Sequence, residues 1–193
     1  MTDLRTMTAA ELAAIRPFGG YKCILADPPW AFSANSEAKP GKGARRHYPT
    51  MKTAEIAAIP VRALAAHDSL CLMWATAPMI EDALKVLKAW GFRYKSQLVW
   101  PKNRIGTGYW ARNAHELVLI GRRGKFPCEQ PALFPTSIIP GKVQQHSRKP
   151  TWLHDVIDAR HPDIPKLELF ARATRPGWTA LGNQTDKFTG ADT

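Results

Sequence analysis

Asp27-Pro28-Pro29-Trp30 follows directly on the apolar run Cys23-Ile24-Leu25-Ala26, and this junction holds the residues best suited to chemistry. The apolar run reads as a buried strand, which two prolines end at once by fixing φ and removing two backbone donors. The Asp27 carboxylate and the Pro28 carbonyl then project from the strand's C-terminal end, with an indole beside them. In open α/β sheets that edge is where ligands bind. Two acceptors aimed one way and a flat aromatic face suit a planar ring carrying an exocyclic amine. The plainer alternative is a strand followed by a Pro-Pro turn, with Trp30 packed in the core.

The surrounding pattern supplies elements to hold such a site. Thr8 and Glu11 form a capping box, which predicts a helix from Ala9 to Ile15, stopped by Pro17 and Gly19-Gly20. After the proline motif comes a polar stretch, Ser33 to Arg46, with two glycines and the cations Lys39, Lys42, Arg45 and Arg46. It has no hydrophobic period, so residues 33–47 are expected to be a mobile basic loop beside the site. Ser69 to Trp74 reads as a second strand, leading into a helix with Ile80, Ala83, Leu84, Leu87 and Trp90 at helical spacing and closed by Gly91. Further strands are expected at Gln97 to Trp100, Glu116 to Ile120, Leu167 to Phe170 and Trp178 to Leu181, with a helix from Trp152 to Ala159. Near-continuous apolar strands alternating with helices imply an α/β fold: a mostly parallel sheet with helices on both faces. No domain boundary is visible, so residues 1–193 are read as one domain, with 1–20 as an N-terminal extension and 186–193 as a frayed tail.

Composition narrows the function. Lys and Arg total 27 against 16 acidic residues, and the formal charge of +11 suits a polyanion such as nucleic acid. Cys23, Cys71 and Cys128 are odd in number and lack metal-ligand spacing, so they read as reduced residues of a cytosolic protein. No metal site is expected. There is no membrane-length apolar run and no signal-peptide pattern, so a soluble, cytoplasmic protein is expected. A G-x-G-x-x-G fingerprint, a Walker loop and a nucleophile elbow are all missing, which disfavours dehydrogenase, nucleotide-hydrolase and serine-hydrolase chemistry.

Five segments occur in a telling order: Ala26-Asp27-Pro28-Pro29-Trp30, His47-Tyr48-Pro49-Thr50-Met51, Ser147-Arg148-Lys149-Pro150, Glu168-Leu169-Phe170-Ala171-Arg172 and Leu181-Gly182-Asn183-Gln184. Together they resemble the S-adenosylmethionine-dependent adenine N6-methyltransferases related to the catalytic subunit of the eukaryotic messenger-RNA methyltransferase. The resemblance runs from about Tyr21 to Asp186 and implies a Rossmann-like methyltransferase fold with circularly permuted motif order. It implies that Asp27 and the Pro28 carbonyl accept the two hydrogens of the adenine amine, turning its lone pair towards the methyl group. Pro29 and Trp30 complete the catalytic motif, Trp30 stacking on the base, and Tyr48 and Glu116 line the target pocket. The basic loop residues Lys39, Lys42, Arg45 and Arg46 would meet the phosphate backbone.

On the cofactor side, the resemblance implies that Lys149 binds the methionine carboxylate of S-adenosylmethionine. Arg172, Asn183 and Gln184 carry over as ribose and tail contacts, and Glu168 and Phe170 as cofactor-binding residues beside them. Thr174 and Arg175, which replace a His-Asn pair of the eukaryotic relative, are also read as cofactor-binding, and the relative's upstream acid for the cofactor adenine has no counterpart here. The implied function is methyl transfer to the N6 amine of adenine in nucleic acid. The compact form resembles bacterial or phage members, which favours DNA over RNA. A homodimer or a partner subunit is compatible with this reading. Two alternatives stand beside it: a catalytically inactive nucleic-acid-binding subunit, and a protein amide methyltransferase. The latter class usually carries Asn before the two prolines and Tyr after them.

Overall fold

The computed structural model describes residues 4, 7–31, 50–106, 108, 110–129, 131–143 and 148–188. Six strands form one sheet in the order β3-β4-β2-β1-β5-β6. They are β1 (Tyr21–Ala26), β2 (Ala65–Ala75), β3 (Arg93–Pro101), β4 (His115–Arg123), β5 (Lys166–Leu169) and β6 (Trp178–Leu181). β1 pairs in parallel with β2 and β5, and β5 with β6. β4 runs antiparallel to both of its neighbours, β2 and β3. Five strands therefore point one way and β4 alone is reversed. The near-continuous apolar run of β4, Leu117 to Ile120, looks the same in either direction, so strand sense was not visible in its composition.

Side-chain alternation sorts the strands onto two cores. Ile24 and Ala26 of β1, Cys71 and Met73 of β2, and Leu167 and Leu169 of β5 face one side. That side is covered by α1 (Ala9–Ala14), α2 (Thr53–Ala58), α3 (Val61–Leu64) and α4 (Ile80–Ala89) through Leu12, Ile56, Leu64, Val86 and Leu87. Cys23, Leu25, Leu70, Leu72, Trp74, Leu98, Trp100 and Val118 face the other side, against Leu153 and Ile157 of α5 (Trp152–Arg160). Helices thus cover both faces, as the alternation implied. α2 and α3 were not foreseen, because each is a turn or two long and carries too few apolar residues to show a period. Leu84, expected on the buried stripe of α4, is 37% exposed, and Val86 takes its place in the core. Gly91 does end α4: its φ is +88°, its N–H donates to the Lys88 carbonyl, and the Phe92 N–H donates to that of Leu87.

The capping box of α1 is formed, with the Thr8 N–H donating to Glu11 at 2.7 Å and the Glu11 N–H to the Thr8 hydroxyl at 3.2 Å. The N-terminal segment packs into the first core through Leu4 and Leu12, so it is more than an appendage. Asp186 to Phe188, expected to fray, turn back instead, and the Phe188 N–H donates to the Arg172 carbonyl at 3.1 Å. Cys23 and Cys71 are fully buried and unpaired, and burial pushes the Cys23 thiol up to about 12. Among the described residues no helix is long and apolar enough to cross a membrane.

Candidate active site

β1, β2 and the reversed β4 bring Asp27, Trp74 and Glu116 to one edge of the sheet. The ladder register pairs Ala26 with Met73, and Trp74 with Val118, so the residue after β1 sits level with the end of β2. Asp27 shares the parity of Cys23 and Leu25 and turns to the α5 face. Lys149, just before α5, reaches the same place. Its Nζ donates to Asp27 Oδ1 at 2.9 Å and Oδ2 at 2.8 Å, and stands 3.4 Å from Glu116 Oε2. Lys102, at the end of β3, donates to the other oxygen of Glu116. The result is an alternating chain of charge, Asp27–Lys149–Glu116–Lys102, over two indoles. Trp74 and Trp100 meet edge to face at 5.8 Å, Lys149 lies 5.2 Å over the Trp74 ring, and Lys102 lies 5.3 Å over that of Trp100.

Burial fixes the electrostatics of this chain. The side chains of Asp27, Lys149 and Glu116 are only 20%, 16% and 14% exposed. Burial works to discharge Lys149, but the Asp27 and Glu116 carboxylates outweigh it and hold its pKa above the ordinary lysine value. Burial likewise works to protonate Glu116, and Lys149 and Lys102 overcome it and hold its pKa below the ordinary carboxylate value. The signs then give a pH profile. The depressed Glu116 stabilises the fold above its unfolded pKa, and that contribution fades as pH falls through the folded value. The raised Lys149 stabilises below its unfolded pKa and is lost only as pH rises through a still higher value. Urea unfolding of the wild type should therefore weaken below about pH 4 to 5 and hold on the alkaline side past about pH 10. Glu116→Gln should flatten the acid limb, and an unchanged acid slope in that variant would refute the assignment.

The motif that opens the site is clamped from behind. The Met51 N–H donates to the Pro29 carbonyl at 2.8 Å and the Ala31 N–H to the Met51 carbonyl at 3.0 Å, a short parallel bridge joining the first two sequence segments. The Pro28 carbonyl accepts the Trp30 N–H at 2.9 Å, which leaves its second lone pair for a ligand. Trp30 itself is 6% exposed, and its indole N–H donates to the Trp74 carbonyl at 3.1 Å. In this arrangement Trp30 is packed in the core and ties the end of β1 to the end of β2. Trp30 thereby fixes the end of the Pro-Pro turn against β2. Tyr48, Lys39, Lys42, Arg45, Arg46 and the whole of the 33–47 loop lie outside the described residues.

The remaining expected positions gather at the ends of β5 and β6. The Ala171 N–H donates to the Leu181 carbonyl at 3.0 Å, which sets Phe170-Ala171-Arg172 against Gly182-Asn183-Gln184. Phe170 holds φ at +62°, a left-handed conformation that a bulky residue rarely adopts, and it redirects the chain at the end of β5. A Cβ at Gly182 would come within 2.3 Å of the Ala171 carbonyl oxygen, so only glycine allows the two loops to touch. Gly182→Ala should cost about 1–3 kcal/mol in urea unfolding and loosen whatever these loops hold. A variant as stable as wild type would show that the contact is slack. Arg172 is close enough to Lys149 to disfavour its charge, so the β5–β6 loops adjoin the Asp27 cluster. Asn183 and Thr174 are exposed and Gln184 is half-buried.

Two further positions read as cofactor-binding have protein partners on α5. Arg175 turns to α5, where Nε donates to Asp158 and Nη2 to Asp155, each at 2.8 Å; it clamps the β5–β6 loop to that helix. Glu168 pairs with His154 Nε2 at 2.9 Å on the α5 face, its parity placing it with Leu25 beneath the edge. Lys102, Trp74 and Trp100 were missed. Each stands at or just past a strand end, the position that singled out Asp27, yet no local motif marks them.

The arrangement has relatives. The MT-A70 family model matches residues 21–184, which spans the whole sheet and every described site residue. The type II methyltransferase M.MunI of Mycoplasma sp is 30% identical over 178 residues, 84% of this chain and 76% of its own. The N(6)-adenosine-methyltransferase MT-A70-like protein of Drosophila melanogaster is 31% identical over 87% of this chain, and the human N(6)-adenosine-methyltransferase catalytic subunit METTL3 is 27% identical over the same share. The chain spans only 27% and 29% of those two relatives. A sheet edge carrying Asp27, Glu116 and Lys149 on a match of this extent places the chain in the MT-A70 family.

Proposed function

We propose that this protein, an adenine N6-methyltransferase of the MT-A70 family, methylates adenine in DNA with S-adenosylmethionine as donor. The observation that carries the reading is Asp27 at the end of β1, held by both oxygens on Lys149 inside the region of family match. DNA is favoured because the match to the type II methyltransferase covers most of both chains, whereas the relatives named as adenosine methyltransferases extend far beyond it.

The donor set fits the cofactor. Lys149 and Arg172 are cations for a carboxylate, and Asn183 and Gln184 offer amide groups for ribose hydroxyls. When bound, S-adenosylmethionine supplies a methyl group made electrophilic by a positive sulfur. Everything else is alignment. Adenine's amine is a poor nucleophile because its lone pair is delocalised into the ring. Asp27 and the Pro28 carbonyl each accept one amine hydrogen and turn that lone pair out of conjugation. A carboxylate has about four lone-pair sites, so Asp27 can do this while Lys149 keeps its charge and direction. Asp27 need not be a strong base, since the methylated amine is acidic enough to release its proton after transfer. Glu116, anchored by Lys102, keeps Lys149 from swinging away. Near-attack alignment of this kind supplies a large share of such a barrier.

Nucleoside mass spectrometry on duplex DNA and on RNA, each incubated with the protein and S-adenosylmethionine, tests the reading. N6-methyldeoxyadenosine in the DNA is the expected product. Methylation confined to RNA would overturn the DNA preference, and an inert protein would leave the nucleic-acid-binding subunit as the better account.

A further inference from the structure

At the opposite end of the sheet from Asp27 is an open cavity of about 670 Å³ that the reaction does not use. The β2–β4 ladder runs from Ala75–Leu117 beside the active site to Ser69–Arg123 beside this cavity, six residues or about 20 Å away. Its lining includes Arg62, Lys88, Arg93, Lys95 and Arg123 and no carboxylate. The cations come from α3, the end of α4, the start of β3 and the end of β4, so the fold itself concentrates charge that is scattered in sequence.

Two features separate this from an ordinary solvated surface. Arg123 is fixed: its Nη1 donates to the Arg62 carbonyl at 2.8 Å, and its pKa is pulled down by burial and by Arg62 and Arg16 nearby. Like charges are crowded here and no carboxylate lines the cavity; Asp68, at the adjoining end of β2, is bonded to His67 and to the Lys125 N–H. Arg62 is laid down too, its Cγ and Cδ 3.4 and 3.5 Å from the Cβ position of Gly91, so the glycine that ends α4 also seats the arginine. The carbonyls at the end of α4 are already bonded to the Gly91 and Phe92 N–H groups, so the cations do not serve as helix caps. Lys88, Arg93 and Lys95 are exposed and have no ion-pair partner among the described residues.

We infer that this cavity seats backbone phosphates of the nucleic-acid substrate, a second and sequence-independent contact remote from the adenine being methylated. The inference rests on the proposed function for the identity of the polyanion. Guanidinium and ammonium groups converging without a counter-charge are the chemistry that binds phosphate oxygens. A contact about 20 Å from the reacting base engages only a substrate long enough to reach it. Such an anchor would retain the duplex while a base is turned out of the stack.

The test uses the full chain carrying Lys88→Gln, Arg93→Gln and Lys95→Gln together, and Lys95→Gln alone should the triple variant fold poorly. Fluorescence anisotropy measures binding of a 30-base-pair duplex and of a four-nucleotide single strand, too short to span the distance, across a salt series. Each phosphate contact contributes about 0.9 to the slope of log K against log salt on duplex. The triple variant should therefore lose about 2–3 from the duplex slope, and the single variant about 1, with the short strand unaffected. An unchanged duplex slope, or an equal loss on both substrates, overturns the inference. Methylation of the short strand, measured in parallel, reads the active site alone. A protein that binds duplex through this cavity yet methylates nothing would sink the proposed function and spare the cavity.

Discussion

Asp27→Asn should lower kcat/KM for methyl transfer by about 10³-fold, because it replaces a charged acceptor of the amine hydrogens with an amide that is half donor. The substitution keeps the volume, so the β1 end and its bridge to Met51 should persist. Asp27 is the principal partner of Lys149, at 2.8 and 2.9 Å, so Asp27→Ala would release that ammonium as well as remove the acceptor. The asparagine variant keeps one acceptor for Lys149 and should bind S-adenosylmethionine within a few-fold of wild type. Single-turnover methylation and calorimetric titration check the two halves separately. An asparagine variant transferring methyl at more than a tenth of the wild-type rate would remove Asp27 from the reaction.

Lys149→Met carries the second large effect, on stability and activity together. It leaves the Asp27 carboxylate buried without its cation, facing a Glu116 that retains only Lys102. Breaking a buried pair by removing one partner costs about 3–5 kcal/mol. The groups are 14–20% exposed, so solvent screens part of this and about 2–4 kcal/mol is expected. Affinity for S-adenosylmethionine should fall at least about tenfold, the loss of one charge-assisted contact. Urea unfolding reads the first effect and titration calorimetry the second. Adding Glu116→Gln to Lys149→Met should recover part of the stability, since it removes one of the two stranded carboxylates. If the double variant is as unstable as the sum of the singles, the charge chain is not a coupled unit.

Much of this protein was legible because its signals are local. A strand stopped by two prolines locates Asp27 whatever the rest of the chain does, and the Thr8–Glu11 capping box and the Gly91 stop each act within one turn of helix. The alternation of apolar runs with amphipathic segments was enough for an α/β sheet covered on both faces, since burial on two sides leaves that imprint on composition.

What the tertiary structure alone decided involves choices that local pattern leaves degenerate. The reversal of β4 is one, because hydrogen-bond direction leaves no mark on an apolar run; yet that reversal sets Glu116 within reach of Lys149. Trp30 was open between ligand face and core, and only the packing of β1 against β2 turns its indole N–H to the Trp74 carbonyl. Arg175 and Glu168 carried motif positions but found nearer partners on α5. A hydrogen-bonded ion pair requires its two groups within about 4 Å of each other. Residues 122 positions apart, such as Asp27 and Lys149, therefore meet only once the sheet has chosen its order.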